Sequence, residues 1–203
     1  EGRTARPQSM WSILLPALSA SCPDLEAMRS EHILKGFQPS ELTGFWYEQA
    51  FQDVAQVGAS CPTLNSTLDN ATSVVSMDLK VKYGFIPFTI TELYHPTQSK
   101  PGVYTKNAAE PGGSLLNLPT VVVDVQPSYM ILFTCLDLKL THVTEVVIAT
   151  RARTVTAADY AAVLATAHSL GVPFEDDKLS RVDWDKCPAQ DVAQRFVLAD
   201  ERL

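Results

Sequence analysis

The stretch ELTGFWYEQA, residues 41–50, runs a glycine, a phenylalanine, a tryptophan and a tyrosine straight into a glutamate and a glutamine. In an extended chain alternate side chains share a face. Trp46, Glu48 and Ala50 therefore fall on one side, and Tyr47 and Phe51 on the other. A strand lying on the surface has no use for so much aromatic bulk, and a strand wholly inside a core has no place for Glu48 and Gln49. The question is what kind of sheet wants a tryptophan and a carboxylate two residues apart on one face.

Outward from that stretch the pattern is of short β-rich runs divided by turn residues. The run 43–52 is a first strand and "VAQVGASCP" a loop. "CPTLNSTL", the turn "DNA" and "TSVVSMDLKVKYG" form a hairpin, with Asp69 and Asn70 supplying the turn chemistry. "FIPFTITELYH", the break "PTQSKPG", "VYTKNA" and the glycine-rich loop "EPGGS" follow. "LPTVVVDVQ", "SYMILFTCLDLKL" and "HVTEVVIATRA" are the strongest strands, rich in valine, isoleucine, threonine and aromatics. One helix is expected from Ala157 to Ser169, with Thr156 as N-cap and with Gly171 and Pro173 ending it. Its apolar positions Tyr160, Val163, Leu164 and Ala167 recur at helical spacing, so one face packs on the sheet. A short strand near Leu179 to Val182 and a final short helix from Ala189 complete the reading. Eight alternating strands with a helix laid outside are best closed as an antiparallel up-and-down barrel, which leaves no exposed edge. The class is all-β.

At 203 residues, 46% hydrophobic and 19% charged, the chain has the composition of one globular domain. A formal net charge of −7 repels nucleic-acid backbones and anionic membrane surfaces, so nucleic acid is not an expected partner. The four cysteines, Cys22, Cys61, Cys135 and Cys187, are too far apart for a CxxC metal or redox motif. They read as two disulfides in an oxidising compartment or as four buried thiols, and composition does not choose among the three pairings. The sequons at Asn65 and Asn70 fit a chain that has crossed a secretory membrane. Residues 1–21 stand apart as an apolar arm. Basic Arg3 and Arg6 precede the run from Met10 to Ala20, which is too short to span a bilayer and is interrupted by Pro16. That run is a targeting remnant or a segment that docks on a protein assembly or a membrane surface. The barrel with its helix is then expected over 22–188, and a tail over 189–203.

Gly44-Phe45-Trp46 within "FQPSELTGFWYEQA" resembles the GxW signature of the lipocalins. Asp124 in "VVVDVQPSYMILFTC" falls where that family's second motif carries its aspartate, although valines flank it here. Arg151 in "VVIATRA" falls where the third motif places its arginine. The likeness runs from about Cys22 to Pro188 and is nearest to the apolipoprotein D branch, with its bacterial and plant (plastid) members. It implies disulfides Cys22–Cys135 and Cys61–Cys187, and a glycan at Asn65. It also implies that Trp46 fills the closed end of the cup with Arg151 across its indole.

Given an inward Trp46, parity turns Glu48 and Ala50 inward, and from Arg151 it turns Ala149, Val147 and Glu145 inward. Phe88 and Ile90 on the fourth strand, Tyr104 on the fifth, and Tyr129, Ile131 and Phe133 on the seventh are further lining candidates. The plain alternative is that these side chains simply fill a core. A pocket of aliphatic and aromatic residues with one or two carboxylates suits an elongated apolar ligand with a polar end. Catalysis finds no nucleophile beside Glu48 and Glu145. The histidines, His32, His95, His142 and His168, lack metal-ligand spacing. The expectation is a non-enzymatic carrier of a lipid, retinoid, sterol or carotenoid-like pigment, with no catalytic residues, no metal and no cofactor beyond a bound lipid or pigment. Its compartment would be secretory and extracellular, or the plastid thylakoid lumen. The alternative is an interaction subunit that docks through its N-terminal arm on a larger, thylakoid pigment–protein assembly.

Overall fold

The computed structural model describes residues 21–112, 116–138 and 141–188. Residues 1–20 of the expected N-terminal arm, including the run Met10 to Ala20, and the C-terminal tail with its short helix from Ala189 lie outside the described residues. Nine strands are present among the described residues: β1 (Gly44–Gln52), β2 (Ala59–Asp69), β3 (Val74–Tyr83), β4 (Ile86–Pro96), β5 (Val103–Ala108), β6 (Leu118–Val125), β7 (Tyr129–Asp137), β8 (His142–Thr150) and β9 (Ser180–Arg181). Each pairs antiparallel with its sequence neighbour from β2 to β8. β1 pairs with both β2 and β8 and so closes an eight-stranded antiparallel up-and-down barrel, while β9 adds two residues beside the upper part of β1.

The closed end is built by the segment before β1. A 3₁₀ turn, Leu25–Met28, leads to helix α1 (Glu31–Gly36), whose N-cap Ser30 accepts from the Ile33 amide, and a second 3₁₀ turn, Pro39–Leu42, starts on a proline suited to its first position. Ile33, Phe37 and Leu42 are buried in the same cluster as Trp46, Val75 and Met130, so this segment plugs the barrel from below. Gly102 makes that approach feasible. Its φ of +71° suits glycine, and a Cβ there would lie 2.6 Å from Ile33 Cγ2.

Two apolar layers share the barrel wall. The inner layer holds Trp46, Leu64, Met77, Tyr94, Leu132 and Ala149 among others. The outer layer holds Ile131, Phe133 and Ile148 beneath helix α2 (Ala157–Ser169), which contributes Val163 and Ala167, with Tyr160 and Leu164 half-buried. α2 begins where the sequence predicts, because the Thr156 hydroxyl accepts from the Asp159 amide. At the β2–β3 turn the Asp69 carboxylate accepts from the Ala71 amide and the Thr72 hydroxyl, which is the turn chemistry read from the sequence.

Two disulfides bind the layers from outside. Cys22–Cys135 ties the N-terminal segment to β7, and Cys61–Cys187 ties β2 to the last described residues. This is the pairing that the resemblance implies. They close 113 and 126 residues respectively, and on the loop-entropy model each contributes about 5 kcal/mol. Such bonds belong to an oxidising compartment.

Candidate functional site

The site is the interior of the barrel, and its floor is Trp46. The indole is fully buried and donates to the Leu42 carbonyl at 2.8 Å. The Arg151 guanidinium lies over it, Cζ 3.2 Å from the ring centroid, and donates to the carbonyls of Phe45 and Thr43 at 3.0 and 2.8 Å. The charge is thus held between a π face and backbone oxygens, where burial lowers its affinity for a proton. Gly44 takes φ +89°, and a Cβ there would sit 3.1 Å from Arg151 Nη1. Glycine, tryptophan and arginine therefore form one unit that closes the cup. Asp124 holds the next corner. Its carboxylate accepts from the Ser30 and Tyr129 hydroxyls, both at 2.6 Å, and so pins the start of α1 to the β6–β7 turn.

Above the floor the interior turns polar. Glu48, two residues beyond Trp46, is fully buried, pairs across the ladder with inward Ala149, and has no hydrogen-bond partner on either carboxyl oxygen among the described residues. Burial pushes its carboxyl from 4.5 up to about 8. The charges of Glu92 and Asp53 push the same way, while Gln56 and Lys106 oppose more weakly. Beside it, buried Lys106 on β5 donates to Glu92 on β4 at 2.9 Å and to Glu145 on β8, and the Tyr94 hydroxyl donates to Glu92 at 2.8 Å. Burial alone would favour neutral lysine, but Glu92, Tyr94 and Glu145 together hold its ammonium charged well into the alkaline range. Burial raises Glu145, and Lys106 pulls it back. Next to Glu145 across the β7–β8 ladder, the Thr134 hydroxyl bonds to that of Thr120 at 2.8 Å.

The strands open at the other end, where β1 meets β2, β3 meets β4 and β7 meets β8. Large apolar side chains stand exposed there: Val54, Val57, Phe85 and Ile86 are 57% exposed or more, and Phe88 is half exposed. The mouth is therefore apolar around a partly polar interior.

Of the lining residues expected from parity, Glu48, Tyr104, Glu145, Val147 and Ala149 do face the interior. Ile90 lies on the same inward face, and Phe88 on that face at the mouth. Four expectations are corrected: Ala50, Tyr129, Ile131 and Phe133 belong to the outer layer under α2. For Ala50 the cause is a bulge: Glu48 faces Ala149 but Ala50 faces Ile148, so one extra residue of β1 reverses the parity beyond Glu48. Phe51, expected outside, lies opposite Val147 on the inner face and is 3% exposed. For β7 the starting phase was wrong by one, since Met130 and Leu132 are the inward residues. The sequence reading also missed Glu92, Tyr94 and Lys106. Continuing the parity of Ile90 along β4, and of Tyr104 along β5, would have found all three.

Outside the barrel, α2 and the wall enclose a cleft of about 520 Å³ that includes Tyr129, Ile148, Tyr160, Val163 and Thr166 in its lining. Asn65 lies within β2 and is partly exposed, whereas Asn70 is exposed in the β2–β3 turn. No helix among the described residues is long and apolar enough to cross a membrane.

No family model matches the chain, and no curated protein matches it. Solved structures do. Insecticyanin from the tobacco hornworm Manduca sexta is 15% identical with a TM-score of 0.63, over 81% of this chain and 86% of that one. Apocrustacyanin C1 is 13% identical with a TM-score of 0.61, over 76% and 84%. H1 crustacyanin from the lobster Homarus americanus is 15% identical with a TM-score of 0.56, over 68% and 75%. These are lipocalins, and at such low identity the likeness establishes a shared fold: the barrel, with its outer helix, has lipocalin architecture.

Proposed function

We propose that this chain is a lipocalin of the apolipoprotein D type that carries a small, mainly apolar molecule in its barrel and catalyses no reaction. The observation that carries the reading is the asymmetry of the cup. One end is sealed by Trp46, Arg151 and α1, and the other carries exposed Val54, Val57, Phe85 and Ile86 at its rim. An apolar mouth costs free energy in water and favours the entry of an apolar body, which gains about 0.8 kcal/mol for each CH₂ it buries. Inside, Ile90, Tyr104, Val147 and Ala149 offer apolar wall, while Glu48, Glu92, Glu145 and Lys106 offer a few polar groups able to fix one end of a ligand. A lipid, retinoid, sterol or carotenoid-like pigment has that shape. The two disulfides and the exposed sequon at Asn70 favour secretion over residence in a plastid lumen.

The test is uptake by the purified, disulfide-bonded protein of a panel of fluorescent fatty acid, retinol and sterol probes, read by titration, with native mass spectrometry of the protein as isolated. Saturable binding of one probe per chain, weakened by a tryptophan placed at inward Val147, supports the reading. No saturable uptake of any probe and no co-purifying small molecule overturns it.

A further inference from the structure

The polar groups inside the barrel are unevenly matched. Three carboxyl groups, Glu48, Glu92 and Glu145, face one ammonium, Lys106, and that ammonium is already shared between Glu92 and Glu145. Glu48 is left over. It is fully buried, faces inward from β1 opposite Ala149, and neither of its oxygens meets a hydrogen-bond partner among the described residues. Gln56, from the loop after β1, likewise has an unpartnered buried oxygen. Buried polar groups in native proteins are almost always satisfied, and one left unmet is destabilising. Gln56 is also a hydrogen-bonding neighbour of the carboxyl, and once Glu48 is ionised both the carboxylate and the Gln56 amide oxygen can only accept, so a group that donates hydrogen bonds would serve both.

The charged and titratable groups that act on Glu48 decide what kind of donor fits. Glu92 from β4 and Asp53, the residue after β1, act on it as negative charges. Lys106 from β5 is cationic but committed, and Gln56 is neutral. Glu145 from β8 and the Tyr94 phenol join the same cluster through Lys106 and Glu92. The field at Glu48 is therefore negative. A carboxylate head group entering here meets three carboxyls and a spent lysine. A hydroxyl can donate one hydrogen bond. An ammonium can donate to both Glu48 oxygens and to Gln56, and it brings the missing positive charge.

We propose that the ligand's inner end is an ammonium group on an apolar body, seated against the Glu48 carboxylate. The inference rests on the reading of the barrel as a ligand cup. The proton balance follows directly. The empty protein holds Glu48 as the neutral acid at pH 7, because burial raises it to about 8. When R–NH₃⁺ enters, the Glu48 O–H bond breaks, the proton leaves to solvent, and the carboxylate pairs with the cation. The net charge of the site is unchanged, because the proton that leaves and the cation that arrives cancel. Because the acid is about nine-tenths protonated at pH 7, binding releases about 0.9 proton per ligand.

The experiment compares decylamine, decanol and decanoate, which share one chain and differ in head group. Binding to the full chain is measured by calorimetry at pH 7, in phosphate and in Tris, whose different ionisation enthalpies report proton release. The expected result is decylamine binding at least tenfold tighter than decanol, decanoate weakest, and release of about 0.9 proton with decylamine and none with decanol. In Glu48→Gln the ratio of decylamine to decanol affinity should collapse toward one. If decanol or decanoate saturates one site and decylamine gains nothing over them, the cup stands and the ammonium inference falls. If decylamine is preferred but releases no proton, or is preferred equally in Glu48→Gln, the inference also falls. If none of the three binds, the cup reading fails and takes the inference with it.

Discussion

Replacing Glu48 with glutamine should make the empty protein more stable, and increasingly so as the pH rises. The folded carboxyl titrates near 8 and the unfolded one at 4.5, so between those values the unfolded chain is ionised while the folded one keeps its proton. The folded state then binds more protons than the unfolded state, and stability falls with rising pH. The contribution of Glu48 is present in full below pH 4.5 and is lost as the pH climbs through 8. At 1.36 kcal/mol per pH unit, the loss is about 3 kcal/mol at pH 7 and about 5 kcal/mol above pH 8. Glutamine keeps the shape and has no proton to lose. Urea unfolding of wild type and Glu48→Gln, with disulfides intact and followed by circular dichroism at pH 5, 6, 7 and 8, measures the difference directly. Any fixed offset between the two side chains cancels in the trend, as do the other titrating groups. The stability advantage of the glutamine variant should grow by about 4 kcal/mol from pH 5 to pH 8. An advantage that stays constant over that range would refute the assignment of Glu48 as a buried, unpaired acid.

The same cluster predicts the opposite sign for its cation. Lys106→Met strands Glu92 and Glu145, both largely buried, and should lower stability at pH 7 by about 3–5 kcal/mol in the same unfolding assay, with a smaller loss at pH 5 because burial raises Glu145 and lets it take up a proton. At the closed end, Gly102→Ala combines a left-handed backbone with a Cβ 2.6 Å from Ile33 Cγ2 and should lower stability by about 2–4 kcal/mol. Gly84→Ala has a similar φ of +62° but meets nothing within 4 Å, so calorimetric melting should show a loss of only about 1–2 kcal/mol.

The barrel was legible because its signals are local. The valine-, isoleucine- and threonine-rich runs of β6, β7 and β8, the Thr156 cap of α2 and the Asp69 turn each rest on a few neighbouring residues, and the structure has these elements where they were read. The floor was legible through a resemblance, since nothing in composition says that Arg151 crosses Trp46. The lining was only partly legible, because parity is trustworthy only while the ladder is regular and its starting phase is known. β7 shows the second failure. Ile131 and Phe133 are as apolar as Met130 and Leu132, and with α2 covering the outer wall both faces of that strand are buried, so hydrophobicity cannot tell inside from outside. The Lys106 network was hidden for another reason: its three charges come from β4, β5 and β8, and closing the barrel is what brings them together.

The bulge in β1 shows how distant sequence sets the chemistry of Glu48. Gln49 and Ala50 both lie outside the barrel, so along the inner face Glu48 is followed by Phe51 and preceded by Trp46. A regular strand would instead set small Ala50 next to the carboxyl. The bulge thus places Glu48 between two large aromatic side chains, which accounts for its complete burial and for the dominance of desolvation in raising its pKa. The bulge is held from outside. The Trp184 indole donates to the Glu48 carbonyl at 3.1 Å, the Val182 amide donates to the Gln49 carbonyl at 2.9 Å, and the Gln49 side chain donates to the Thr150 hydroxyl and the Ala152 and Arg153 carbonyls. Trp184 is in turn fixed by edge-on contact with Tyr47 and by the Cys61–Cys187 disulfide three residues on. The closing segment, residues 182–187, therefore does more than tie down an end. By satisfying the backbone groups that an extra residue takes out of the ladder, it keeps a carboxyl dry some 136 positions earlier in the chain, and any ligand chemistry at Glu48 depends on that strap as much as on the barrel wall.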